Sequence, residues 1–110
     1  MIGDPYCRVE AEGGEAYDDP SEDLLFELMR DFVLPDNGHL IVEGVGDGGW
    51  YVVAALLEDG TYEIEFRDPA RRVHRVETGA DLSEIANDVI VWIADTARFH
   101  RARVAQAQPM

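Results

Sequence analysis

The sequence is poor in cysteine and has no membrane-length hydrophobic run. Cys7 is the single cysteine among 110 residues, so an intramolecular disulfide is excluded. Catalysis by Cys7 is disfavoured, because a reactive thiolate needs a base and an orienting group and no nearby residue in the sequence supplies either. No N-terminal apolar segment resembles a signal peptide or a membrane span, so we expect a cytoplasmic protein that does not associate with membranes.

Positive charge is the second deficit. The chain has no lysine, and its 9 arginines face 23 acidic residues, which gives a net charge of −14. Residues 1–50 hold 13 of the acids and 2 of the arginines, so the first half carries most of the negative charge. This balance argues against nucleic-acid binding, which depends on neutralising phosphates. It favours a soluble protein, or one that binds a basic protein partner.

Recognisable catalytic and cofactor motifs are absent as well. The sequence has no Ser/His/Asp order, no cysteine pair, no nucleotide fingerprint and no zinc-ligand spacing. The glycine-rich stretch 44–49 invites comparison with a phosphate loop, but such a loop needs a helix behind it and the residues that follow favour a strand. We therefore expect no cofactor and no enzymatic activity, with an enzyme kept as a minor alternative.

Two groups of charged residues have both a functional and a structural interpretation. Glu63 and Glu65 share one face of a predicted strand with His74 opposite Glu65, an arrangement that would suit a metal or an acid–base pair. The preferred interpretation is a solvated face with cross-strand charge pairing. The basic residues gather in one cluster of Arg67, Arg71, Arg72, Arg75 and His74. Acidic residues are interleaved with this cluster, so intramolecular pairing is preferred over anion binding.

Helical periodicity is confined to two segments. Asp19, followed by proline and then a glutamate, predicts an N-cap, and the apolar spacing of the first helix continues to about Val33. Asp81, with a glutamate three residues later, predicts the N-cap of a second helix that extends to about Arg103. The second helix is apolar well beyond one stripe, which indicates deep packing of its middle.

The sheet is organised around residues 50–57, a run too apolar to lie anywhere but mid-sheet. The Asp59-Gly60 dipeptide that follows favours a two-residue hairpin loop, which would pair Val53 with Phe66 on the core face. If the glycine-rich loop also has an even number of residues, the strand before it places Leu40 and Val42 on the same core face. The predicted core face of the sheet consists of Leu40, Val42, Gly44, Tyr51, Val53, Ala55, Leu57, Tyr62, Ile64 and Phe66. A last, weak strand over 72–76 places Val73 and Arg75 on the core side at the sheet edge.

These elements predict an α+β fold. We expect a four-stranded antiparallel β-meander with two helices packed on one face, in the order α-β-β-β-β-α. Residues 1–18 are predicted to be a mobile acidic arm, in which residues 6–9 could add a short edge strand. Residues 19–104 are predicted to form a single domain, followed by a C-terminal tail over 105–110.

The opposite face of the predicted sheet mixes apolar and acidic side chains and is left uncovered by the helices. An exposed apolar patch of this kind marks an interface, with Trp50 as the aromatic anchor and glutamates as the rim. The predicted partner-binding residues are Ile41, Glu43, Trp50, Val52, Leu56, Glu63 and Glu65. A basic protein is the preferred partner. A homodimer through the same face is the first alternative, and the second is that the N-terminal arm covers this face.

One stretch of the chain resembles a known group of proteins. The residues are Gly60 to Asp68, the pair His74-Arg75, and the Asp81-Leu82 helix start with Trp92. This order is similar to that of small acidic α+β proteins of actinomycete type, several of which act as immunity proteins that bind and block a toxin. The resemblance assigns no functional residue. It implies an immunity-type protein that neutralises a toxin partner by stoichiometric binding, with a regulatory or assembly subunit as the alternative.

Overall fold

The computed structural model describes residues 5–46 and 49–107. Within these ranges, six strands form one antiparallel sheet and two α-helices pack on one of its sides. The elements are β1 (Cys7–Ala11), β2 (Ala16–Asp18), α1 (Glu22–Arg30), β3 (His39–Gly44), β4 (Tyr51–Leu56), β5 (Tyr62–Asp68), β6 (Val73–Gly79) and α2 (Leu82–Ala107). Their order across the sheet is β2-β1-β3-β4-β5-β6. The predicted α+β class is confirmed, whereas the predicted strand number of four and the predicted order α-β-β-β-β-α are wrong, because two strands precede α1.

Residues 7–18 form a β-hairpin inside the sheet, and not a mobile arm. β1 lies between β2 and β3, with Val9 opposite both Tyr17 and Val42. Cys7 and Val9 are fully buried and alternate with exposed polar residues. This period-two alternation is the sequence signal that identifies β1. This hairpin does not cover a face of the sheet, because it extends the sheet sideways. Residues 1–4 of the predicted arm and residues 108–110 of the predicted tail lie outside the described ranges.

Two hairpins are closed by the same kind of three-residue loop. The Ala11 amide donates to the Glu15 carbonyl oxygen across the first loop, and the Leu57 amide donates to the Thr61 carbonyl oxygen across the second. Both distances are 2.8 Å. Each loop ends in a glycine with positive φ, 102° in the first and 87° in the second. Such loops are typical of a turn that closes on a left-handed residue. An odd loop length shifts the strand pairing by one residue relative to a two-residue turn.

The loop lengths reverse the predicted orientation of β4. Val52 lies opposite both Phe66 on β5 and Val42 on β3, in place of the predicted Val53–Phe66 pair. On the β3 side, the Gly44 amide donates to the Trp50 carbonyl oxygen, so the connection over 45–49 also has an odd length. The predicted core residues of β3 and β5 are confirmed, but β4 turns its even-numbered residues to the core. Residues 47 and 48 of the glycine-rich loop lie outside the described ranges.

The helix starts are set by side-chain caps. The Leu24 amide donates to Ser21 Oγ at 3.1 Å, so Ser21 caps α1 in place of the predicted Asp19. Asp19 has a φ of 47° and accepts hydrogen bonds from two backbone amides at the start of β1. The predicted Asp81 N-cap of α2 is confirmed by the Glu84 amide, which lies 3.2 Å from the Asp81 carboxylate. α1 ends before its predicted boundary, and α2 extends beyond its own.

One hydrophobic core fills the space between the sheet and the helices. Its centre is aromatic, with the ring centroids of Trp50 and Trp92 5.9 Å apart and those of Trp92 and Phe66 5.3 Å apart. α1 adds Leu25 and Met29, both fully buried. Both helices therefore cover the same side of the sheet, as the sequence predicts.

Gly44 lies directly against the Trp50 indole. A Cβ at Gly44 would be 2.5 Å from Trp50 Cε2, too close for a buried ring that cannot move into solvent. We expect Gly44→Ala to lower the free energy of unfolding by about 1–3 kcal/mol, as overpacking does in other cores. Urea denaturation measures the loss. Gly79→Ala is the matched control, because a Cβ at Gly79 would make an ordinary 3.4 Å contact with Ile85; an equal loss for both variants would contradict the packing.

Candidate functional site

The side of the sheet that faces away from both helices is called the outer face. Strand pairing arranges its described side chains in three rows. The first row contains Asp18, Arg8, Glu43, Tyr51, Arg67 and His74; the second contains Ala16, Glu10, Ile41, Val53, Glu65 and Val76; and the third contains His39, Ala55, Glu63 and Thr78. All of them are half-buried or exposed.

Apolar side chains meet at the centre of the outer face. Ile41 lies opposite Val53, and Tyr51 and Ala55 flank Val53 on the same side of β4. All four are half-buried although both helices pack on the other side. These four residues are called the central patch. A contiguous apolar patch on an open sheet face is the kind of surface that marks an interaction site.

Acidic side chains outnumber basic ones around the central patch. The outer face carries five acidic residues and two arginines: Asp18, Glu10, Glu43, Glu63, Glu65, Arg8 and Arg67. His74 Nε2 lies 2.8 Å from Glu65, which confirms the predicted pairing, although the two residues sit diagonally and not directly opposite. Exposed pairs of this kind contribute about 1 kcal/mol or less to stability. The surround therefore presents a net negative charge to a partner.

Four of the seven predicted partner-binding residues lie together on the outer face, namely Ile41, Glu43, Glu63 and Glu65. The other three lie on the core side. Trp50 is 2% exposed, Val52 is fully buried, and Leu56 packs against the core. Their predicted exposure is wrong because the odd loop lengths rotate β4 by one position. Tyr51 and Val53 occupy the outer-face positions instead.

A second polar group lies inside the protein, where β5 ends beside α2. Asp68 is fully buried; Arg71 Nε lies 2.6 Å from its Oδ2, and His100 Nε2 lies 3.1 Å from both carboxylate oxygens. Arg71 also donates to Thr96 Oγ1 and stacks 5.5 Å from the Trp92 ring centroid. These side chains, called the Asp68 cluster, satisfy one another and tie the turn at 69–71 to α2.

The pKa of Asp68 reflects two opposed effects. Burial raises it, but the hydrogen bonds and charges of Arg71 and His100 lower it by more, so the pKa lies below its ordinary value of 3.8. Asp68 is therefore ionised at neutral pH and fully partnered, which suits a structural anion better than a proton acceptor. The sequence carries no local signal for a contact between Asp68 and His100.

The remaining groups that could react or bind a metal are Cys7 and the acidic and histidine side chains of the described residues. Burial and the neighbouring carboxylates of Asp19 and Asp18 raise the pKa of the Cys7 thiol to about 12, so the thiol stays protonated. Across residues 5–46 and 49–107, no three His, Cys, Asp or Glu side chains converge as metal ligands would.

Comparisons with known proteins add no assignment. No protein-family model, curated protein or solved structure matches the chain. Neither α1 nor α2, the helices of the described part of the chain, combines the length and the apolarity needed to cross a bilayer. The interpretation of the outer face therefore rests on its geometry and charge.

Proposed function

We propose that this protein is a non-enzymatic protein-binding module that binds a basic protein partner through the outer face. The observation that carries the proposal is the central patch, an apolar surface of Ile41, Tyr51, Val53 and Ala55 surrounded by glutamates. An apolar centre with a polar, solvated rim is the usual anatomy of a protein interface.

Tyr51 is the proposed anchor of the interface. Tyrosine is among the residue types most enriched at binding hot spots, and hot spots cluster near the interface centre. Tyr51 lies in the middle of its row, opposite Glu43 on β3 and Arg67 on β5. The net charge of −14 would steer a basic partner toward this face and accelerate association at low salt.

The resemblance to toxin-immunity proteins suggests the kind of partner. In this proposal the partner is a toxin, and the protein inhibits it by stoichiometric binding. Such inhibition needs a complementary surface rather than an active site, and the buried Asp68 cluster is consistent with that because its groups are occupied by one another. The second candidate is a homodimeric regulatory or assembly subunit that uses the same face. A two-fold interface would press glutamates against their symmetry copies, so the heterologous partner is favoured.

The double variant Tyr51→Thr, Val53→Thr tests the outer face. A photo-reactive amino acid at position 51 captures the partner, which is then purified and titrated by calorimetry. We expect the double variant to weaken binding by about thirtyfold or more, as the loss of a hot spot of about 2 kcal/mol does. Threonine keeps the β-propensity of β4, so the fold is retained.

The pair Val33→Thr, Leu34→Thr serves as the control, because both side chains are exposed and lie in the connection between α1 and β3. It should bind as tightly as the wild type.

For the immunity role, co-expression of the wild type should relieve growth inhibition by the partner, and co-expression of the outer-face variant should not. Light scattering of the free protein determines whether it forms a homodimer. Full binding by the Tyr51/Val53 variant would remove the outer face as the interface.

A further inference from the structure

A groove runs along β6 on the core side of the sheet. Arg75 and Glu77 of β6 lie opposite Phe66 and Ile64 of β5, yet both are exposed while their partners are buried. α2 therefore covers β5 but leaves the middle of β6 uncovered. At one end the groove deepens into a cavity of about 110 Å³ with an apolar floor, lined by Ile64, Phe66, Ile85 and Val89 among others.

The helix side of the groove carries a row of carboxylates. Asp81 at the N-cap and Glu84, Asp88 and Asp95 within the helix are exposed. They fall on one flank of α2, because steps of three, four and seven residues return to nearly the same angle. Asp81, Glu84 and Asp88 line the cavity, and Asp88 and Asp95 line its continuation beside Arg75. This row is called the acidic stripe.

The acidic stripe and β6 run side by side in opposite directions. α2 begins beside Gly79 at the end of β6, and its Thr96 contacts Arg71 just before β6 starts. The stripe spans about 21 Å at 1.5 Å per residue, and the strand spans about 23 Å. The carboxylates therefore follow nearly the full length of the strand.

Arg75 shows how the groove holds a guanidinium. Its Cζ lies 4.5 Å from the Phe66 ring centroid, a cation–π distance, and its Nε lies 2.9 Å from Glu77. An aromatic floor and a carboxylate wall thus bind one arginine of the chain itself. Asp95 lies 3.5 Å from Arg98 and Asp81 caps α2, so Glu84 and Asp88 are the carboxylates that offer the same chemistry to arginines from outside.

β6 also offers backbone hydrogen bonds. It lies at the edge of the sheet, beside β5, so alternate residues direct their N–H and C=O groups away from the sheet. Such an edge accepts an added strand, whose backbone supplies affinity and whose alternate side chains supply specificity.

We propose that the β6 edge and the groove beside it bind an extended basic segment of a partner protein, with arginine or lysine at every second position. Alternate side chains of a strand are about 6.7 Å apart, so about three of them fit along the acidic stripe. They would project to the core side, where Arg75 and Glu77 already lie, and meet the carboxylates of α2. This surface is distinct from the outer face, and the proposal does not depend on the outer face being an interface.

An eight-residue fluorescent peptide of alternating threonine and arginine is the probe, and its anisotropy measures binding at about 50 mM salt, where exposed charges are weakly screened. We expect Glu84→Gln, Asp88→Asn to weaken binding by about tenfold, since two partly exposed charge pairs with the peptide are lost. Asp81 is left unchanged because it caps α2. The matched control, Glu43→Gln, Glu63→Gln, removes the same charge from the outer face and should change binding less than twofold.

Two further measurements separate strand addition from general attraction between opposite charges. A peptide of the same composition with its arginines in one block should bind at least about fivefold more weakly, because only alternation matches the stripe. Amide chemical shifts should change along 73–79 on binding of the alternating peptide. Equal affinity for the two peptides, equal weakening by the two double variants, or unchanged amides in β6 would each overturn the proposal. A free protein that dimerises through β6 would also overturn it, because the second copy would then occupy the edge.

Discussion

Trp50→Ala is expected to lower the free energy of unfolding by about 3–5 kcal/mol, the usual cost of removing a large aromatic side chain from a core. Trp50 is 2% exposed and packs edge-on against Trp92. Tyr51→Ala should cost about 1 kcal/mol or less, because Tyr51 lies on the outer face and loses mainly cross-strand contacts. Trp50 and Tyr51 are adjacent but lie on opposite sides of the sheet, so Trp50 stabilises the core whereas Tyr51 is the proposed anchor of the interface.

Urea denaturation monitored by circular dichroism compares the two variants on one scale. Trp50→Phe gives an intermediate loss if Trp50→Ala does not fold, because phenylalanine keeps part of the buried ring. The order of the losses matters more than their size. A larger loss for Tyr51→Ala than for Trp50→Ala would show that β4 has the orientation first expected from the sequence and would remove the central patch from the outer face.

Asp68→Asn is expected to cost about 3 kcal/mol, near the lower end for breaking a buried ion pair. The substitution keeps the shape of the side chain but removes the charge that Arg71 and His100 contact. Arg71 retains 24% side-chain exposure, so water solvates part of its charge and moderates the loss. The turn at 69–71 would then lose its strongest tie to α2, and urea denaturation at neutral pH measures the change.

The same variant makes a prediction about pH. The folded-state pKa of Asp68 is lowered, so the stability that its ionisation contributes is complete above the ordinary value of 3.8 and is lost as the pH falls through the folded-state pKa. The difference between the wild type and Asp68→Asn should therefore shrink as the pH falls below about 4.

Asp59→Asn is the control for acid effects in general. Hydrogen bonds from Thr61 lower the pKa of the Asp59 carboxyl, but this side chain lies on an exposed loop. Its substitution should cost less than that of Asp68 at neutral pH. A difference between the wild type and Asp68→Asn that persists unchanged into strong acid would show that hydrogen bonding by the uncharged carboxyl group, and not its charge, stabilises the cluster.

Local patterns were sufficient wherever neighbours along the chain decide the structure. β5 alternates apolar and acidic residues, so its core side follows directly from the sequence. The Asp81 N-cap and the helical spacing of α2 are local in the same sense. β1 also alternates, and its hairpin was missed because the surrounding acids and glycines suggested a mobile segment.

The orientation of β4 could not be predicted in this way. The strand is apolar on both sides, so it has no alternation that would identify its core side. Gly60 provides positive φ in a two-residue and in a three-residue loop alike, so the dipeptide with Asp59 does not fix the loop length. The residues that β4 contributes to the candidate site could not be predicted for the same reason, because a difference of one residue in loop length decides whether Trp50 or Tyr51 faces outward. The Asp68 cluster is a long-range contact, and a single sequence does not show such contacts.

The protonated, buried state of Cys7 has a practical consequence for spectroscopy. Maleimides and spin-label reagents react with the thiolate, which a thiol with a pKa of about 12 hardly forms near neutral pH. A cysteine introduced at an exposed position such as Val33 or Val76 would therefore be labelled selectively in the otherwise natural chain. Fluorophores or nitroxides can then be placed on the outer face or beside β6 without a cysteine-free background, and so without a substitution in the core strand β1.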